Sequence, residues 1–211
     1  MRKLQKQNGF TLIEIAIVLV IIGLLLGGVL KGQELINSAK VKNLATDFRN
    51  VPVFIYGYQD KFKALPGDDL TATAHVGATA TNGNGNGIID GAYNATTIAS
   101  ESFTFWQDVR LAGLAPGPTD TTAPDYVPKN AVGGVIGVTN AAQSPITGLK
   151  GSYIICSDGI PGKFAKQLDI TLDDGNTATG SLMVSTVTAG GAPIATTSIV
   201  DDTTYLVCMG V

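Results

Sequence analysis

The chain has 211 residues, with 14 basic against 17 acidic side chains and a formal charge of −3, a balance that argues against nucleic-acid binding driven by phosphate neutralisation. Its single histidine and two cysteines form no C-x-x-C and no cluster with metal-ligand spacing, and there is no G-x-S-x-G elbow, so the chain does not read as an enzyme. Beyond an apolar N-terminal segment the length leaves room for one soluble domain of ordinary size.

The chain opens on a short basic leader, MRKLQKQNG, followed by GFTLIEIAIVLVIIGLLLGGVL. Phe10 to Leu30 is 21 residues, which as a helix reaches about 31 Å and covers the hydrocarbon core of a bilayer. No charge occurs from Ile15 to Leu30, but Glu14 lies near the start. A carboxylate there costs roughly 2 to 3 kcal/mol or more in lipid, so its retention points to a partner. A secretory signal would be cut after the apolar run at a small-residue site, whereas here KGQELINSAKVKNL follows Leu30 and the glycine precedes the run.

The basic leader, Gly9, Phe10, the Thr11-Leu12-Ile13-Glu14 run and the apolar helix together resemble the type IV prepilin signature, shared by type IV pilins and the pseudopilins of type II secretion. The resemblance is specific over residues 2 to about 31. It implies cleavage between Gly9 and Phe10 by a prepilin peptidase, N-methylation of the Phe10 amine, and assembly into a homo-oligomeric helical filament by a dedicated pilus or secretion machinery. In such a filament Glu14 would pair with the Phe10 amine of a neighbouring subunit. An amine and a carboxylate are each costly alone in lipid and much less so together, so the pairing selects subunits in register.

Three segments follow from this: a leader at 1–9, a transmembrane and polymerisation helix at 10–30, and a periplasmic or extracellular pilin-like domain at 31–211. Arg2, Lys3 and Lys6 favour a cytoplasmic N-terminus in the inner membrane by the positive-inside rule. Cleavage would remove these three of the 14 basic residues and make the chain more acidic.

Past the membrane segment Val41, Leu44, Phe48, Val51, Ile55, Tyr58 and Phe62 recur in steps of three and four, the stripe of a helix packed on one face. The spacing predicts one long helix ending at Leu65-Pro66-Gly67, with a bend at Pro52. Gly23, Gly27, Gly28 and Gly32 weaken it by about 1 kcal/mol each, yet form small-xxx-small pairs suited to close helix approach. Whether the helix melts at these glycines is open, because the proline that pilins often carry near Lys31 is missing.

Asp68 to Ala99 is rich in Asp, Asn, Gly, Ala and Thr and reads as loop, with His75 as a surface residue. Its centre, TNGNGNGIIDG, allows two readings. Asn82, Asn84, Asn86, the Ile88 carbonyl and Asp90 follow the spacing of a calcium loop, with Asp68 or Asp69 adding charge, but Tyr93 stands where an EF-hand needs glutamate. The other reading is a plain Asn/Gly turn. No other cofactor is indicated.

Ser100 to Leu114 predicts a second helix with Phe105, Trp106 and Val109 inward, and a proline-rich connection follows. Val132–Thr139, Ser152–Cys156, Leu182–Val187 and Thr203–Cys208 read as strands, and Phe164, Leu168 and Leu172 predict a short helix among them. Cys156 and Cys208, in a chain exported past the membrane, read as a disulfide, with two buried thiols as the alternative.

A long N-terminal helix on a mostly antiparallel C-terminal sheet is an α+β arrangement, and it is also what the resemblance implies. The LPGDD, GNGNG, FWQDVRLAGL and IPGK segments are similar to one branch of prepilin-like proteins. The two cysteines resemble the C-terminal closure common in pilins, while a calcium loop would lean towards a pseudopilin of type II secretion. A structural filament subunit is therefore the leading expectation, with the pseudopilin as alternative.

Overall fold

A computed structural model describes residues 9–186 and 190–211. Most of the expected leader (residues 1–8) and Val187, the expected end of a strand, lie outside the described residues. Helix α1 runs from Leu12 to Phe62 without interruption, through Gly23, Gly27, Gly28, Gly32 and Pro52, so the helix does not melt at the glycines. The chain divides into two compact units, one ending at Ala39 and one covering Lys40–Val211.

Within the second unit, Val41, Leu44, Ala45, Phe48, Val51, Ile55 and Tyr58 are buried along one side of α1. Steps of three and four bring these residues onto a single face, which is why the stripe is legible as a pattern. The helix stops three residues ahead of the Leu65-Pro66-Gly67 breaker, with Lys63 at φ 58°.

Among the described residues four antiparallel strands form one sheet: β1 (Ile136–Asn140), β2 (Tyr153–Pro161), β3 (Leu182–Ser185) and β4 (Thr204–Gly210), in the order β1-β2-β4-β3. The last strand is thus inserted between β2 and β3. Side chains alternate between two apolar clusters, as the two-residue pleat requires. Ile155, Leu182, Val184, Tyr205 and Val207 join α1 in the main core. Ile154, Cys156, Met183, Leu206 and Cys208 form a second cluster with Tyr93, Ile146 and Leu149 from the loops. Both faces of the sheet are therefore covered. At Gly137 a side chain would collide with the Tyr93 backbone, so this loop layer needs a residue without a Cβ in β1.

Between α1 and the sheet the chain forms a one-turn helix α2 (Ala72–His75) and helix α3 (Glu101–Leu111); α4 (Gly162–Leu172) follows β2 directly. The expected loop from Asp68 to Ala99 holds apart from α2. Phe164 and Leu168 of α4 are buried as their spacing predicts.

Helix α3 departs from the amphipathic expectation, because Glu101 to Arg110 are all buried. Its polar side chains are enclosed because they hold the loops. The Gln107 side chain donates to the Thr79 and Thr119 carbonyls, at 3.1 and 3.2 Å. The Arg110 guanidinium donates to the carbonyls of Pro116, Pro118 and Tyr126 and sits over the rings of Trp106 and Tyr126. The proline-rich connection, which lacks a regular pattern of its own, is tied to α3 in this way.

Candidate functional site

The start of α1 carries the residues singled out by the sequence. Leu12 is the first helical residue, with Thr11 before it. The Glu14 N–H donates to the Thr11 hydroxyl at 3.3 Å, and Glu14 Oε2 accepts from the Thr11 backbone N–H at 2.7 Å and from its hydroxyl at 2.8 Å. This is a reciprocal capping box, S/T-x-x-E, satisfying donors that a helix N-terminus otherwise leaves open. Thr11 was missed as a functional residue, although its spacing to Glu14 carries the signal. Glu14 thus has a structural task within its own chain, performed by Oε2.

From Phe10 to Ile36 the large apolar side chains are exposed, Phe10 at 83% and Leu12, the first residue of α1, at 89%. Surface of that extent is not left in contact with water by a soluble monomer. The helix is long and apolar enough to cross a membrane, with a mean hydropathy of 2.8 over its most apolar window, and with the motif it carries it points to membrane anchoring before assembly. A Cβ added at Gly23, Gly27, Gly28 or Gly32 would meet nothing within 4 Å. These glycines weaken the helix, and their spacing is one that suits close approach of another helix.

Cys156 and Cys208 form a disulfide, 52 positions apart in sequence. They are register partners on β2 and β4, with Cα atoms 4.1 Å apart. The bridge fastens the last strand to the middle of the sheet.

The Asn/Gly loop is pinned by acids. Asp68 accepts from the backbone N–H groups of Asn86 (2.9 Å) and Gly87 (2.7 Å). Glu101, at the start of α3, accepts from those of Asn84 (3.0 Å) and Asp90 (2.9 Å). The Asn84 and Asn86 amides donate to Asp90 Oδ2, and Asn140 of β1 donates to its Oδ1. Asp68, Asn84, Asn86 and Asp90 are therefore brought together, with their oxygens engaged by neighbouring N–H groups, and the Ile88 N–H closes a turn on the Asn86 side chain. Asn82 instead accepts from the Thr73 N–H. Asp69 turns away from the loop to Tyr58 and Thr71 and to His75 Nδ1 at 2.6 Å. His75 keeps its expected surface position and stacks on Phe62.

Behind this loop two acids differ in their tendency to ionise. Asp108 is fully buried; burial pushes its carboxyl up to about 7, against a lowering hydrogen bond from the Gly67 N–H, and the Asp69 charge raises it further. Burial works the same way on Asp69, but hydrogen bonds from His75, Thr71 and Tyr58 outweigh it and hold that carboxyl below its ordinary value. Below about pH 7 the negative charge is thereby kept on Asp69 and the proton on Asp108.

No curated protein matches the chain. Residues 4–30 match the family described as the prokaryotic N-terminal methylation motif, a stretch that contains Gly9, Phe10, the Thr11–Glu14 cap and the exposed apolar helix. By that motif, the chain carries the signature common to type IV pilins and pseudopilins, which implies a structural subunit processed by prepilin peptidase.

Proposed function

We propose that this chain is a structural subunit of a type IV pilus or closely related filament, cut between Gly9 and Phe10, N-methylated at Phe10 and polymerised through α1. Residues 1–9 are the leader, 10–30 the membrane and polymerisation segment, and 31–211 the exported part. The carrying observation is the methylation motif on a helix whose apolar side chains are exposed among the described residues. The cysteine pair, closing the C-terminal strand onto the sheet, supports a pilin over a pseudopilin.

Glu14 is the residue that makes assembly selective. Its Oε2 serves the cap, and Oε1 makes no hydrogen bond among the described residues, so that oxygen is available to the Phe10 amine of an adjacent copy. Two tests follow. Mass spectrometry of assembled material should find an N-terminus at Phe10 carrying a methyl group; retention of Met1 in filaments would sink the proposal. Glu14→Gln preserves the shape and the cap's acceptor but not the charge, so it should leave the subunit in the membrane while reducing filament yield by tenfold or more. Filaments at the wild-type level from this variant would show that the pairing is dispensable.

A further inference from the structure

We propose that Asp169, Asp173 and Asp174, at the C-terminal end of α4, form a site for a hard divalent cation, calcium, separate from the Asn/Gly loop and independent of the filament reading. Asp169 lies in the last turn of α4, Asp173 is the residue capping it and Asp174 follows. An oxygen from each carboxylate lies within 4.8 Å of the others. Oxygens bound to one calcium at 2.3–2.6 Å can be up to about 5 Å apart, so the three reach a common ion with little movement.

An acidic cluster alone would be unremarkable on a protein surface, but Asp169 is not on the surface. It is fully buried, and among the described residues neither of its carboxylate oxygens has a hydrogen-bond partner. The Gly175 N–H approaches it without completing a hydrogen bond. A buried acid in this state bears a large desolvation penalty that only a proton or a cation removes. Two features draw positive charge to this point. The neighbouring charges are both negative, and the carbonyl end of a helix adds further negative potential at the same point. Among the described residues no basic side chain pairs with the cluster: Lys163 and Lys166 of α4 pair with Asp202 and Asp201.

Accessibility runs in sequence order, Asp169 buried, Asp173 intermediate and Asp174 exposed, which gives an ion a path inward. The outer two acids are already positioned. Asp173 Oδ2 accepts from the Leu182 N–H at 2.8 Å, at the start of β3, and Asp174 Oδ1 accepts from the Asn176 N–H at 2.8 Å. A side chain at Gly180 would collide with the Asp173 carboxylate, so the loop closes tightly over that residue. Three oxygen donors, with no sulfur or imidazole among them, suit calcium over zinc or copper. The ion would join the end of α4 to the loop that leads into β3.

The test uses the full-length chain in detergent, stripped with a chelator and titrated with calcium chloride by calorimetry and thermal melting. Saturable binding with a dissociation constant of ~0.1 to 1 mM is expected, together with a rise of a few degrees in melting temperature. Asp169→Asn should weaken binding at least tenfold and remove the rise, while Asp60→Asn, loss of one exposed carboxylate on α1 outside the cluster, should leave both intact. If Asp169→Asn does not fold, Asp174→Asn at the exposed rim carries the same expectation with a smaller loss. The proposal is overturned by absence of binding at 10-fold above the expected range, or by calcium binding that survives both cluster variants. It is overturned equally if Asp90→Asn alone removes the rise, which would assign the ion to the Asn/Gly loop.

Discussion

Replacing both cysteines with alanine is expected to lower the stability of the folded chain by about 4 kcal/mol. The disulfide closes a loop of 52 positions, and a cross-link over that distance removes loop-closure entropy of this size from the unfolded chain. Alanine is the informative substitution, because Cys156 and Cys208 are fully buried and serine would add two hydroxyls needing partners. In a chain of this length the loss corresponds to a fall of roughly 10 °C in melting temperature. The bridge also anchors β4 between β2 and β3, so the variant should release the C-terminal strand first, visible as faster amide exchange over Thr204–Gly210. Denaturant unfolding of oxidised wild type and the double variant measures the difference; a loss under 1 kcal/mol would mean that the bridge restrains nothing the sheet does not already hold.

Asp108→Asn is expected to change how stability depends on pH, by up to about 4 kcal/mol between pH 4 and pH 8. The folded carboxyl is pushed up to about 7 from an ordinary value of 3.8, with burial the main cause. Between those values the unfolded chain has released its proton and the folded chain has kept it. Each pH unit gained then costs about 1.4 kcal/mol of stability, so Asp108 is most favourable below pH 4 and fully unfavourable above pH 7. Asparagine stays neutral throughout and keeps an acceptor for the Gly67 N–H. The stability of the variant relative to wild type should therefore rise steadily from pH 4 to 7 and level off. A difference that does not vary with pH would show that Asp108 is ionised in the folded chain.

Much of this architecture is legible in short windows. The 21 positions from Phe10 to Leu30, uncharged but for Glu14, and the glycine before them mark the proposed membrane segment because a membrane-spanning helix needs a fixed length and tolerates few charges. The Val41–Tyr58 stripe and the Phe164–Leu168 pair mark buried helix faces because the helical pitch converts spacing into direction. The Thr11–Glu14 cap lay in the same window and called only for its spacing to be noticed. The expectation of export beyond the membrane makes a bond between the cysteines the economical reading, although nothing nearby in sequence says that they face one another.

Other features depend on residues that no window contains. Cys156 and Cys208 are register partners because β4 enters between β2 and β3, an order set by packing both faces of the sheet. Ten successive residues of α3 are buried because distant loops fold onto its polar side chains. Nothing local in the sequence marks Asp108 and Asp169 as buried acids, since desolvation is a property of everything packed around a group and not of its neighbours in the chain. Local periodicity states which side of an element faces inward; what waits there, and whether it includes a partner for a charge, is settled when remote segments come together.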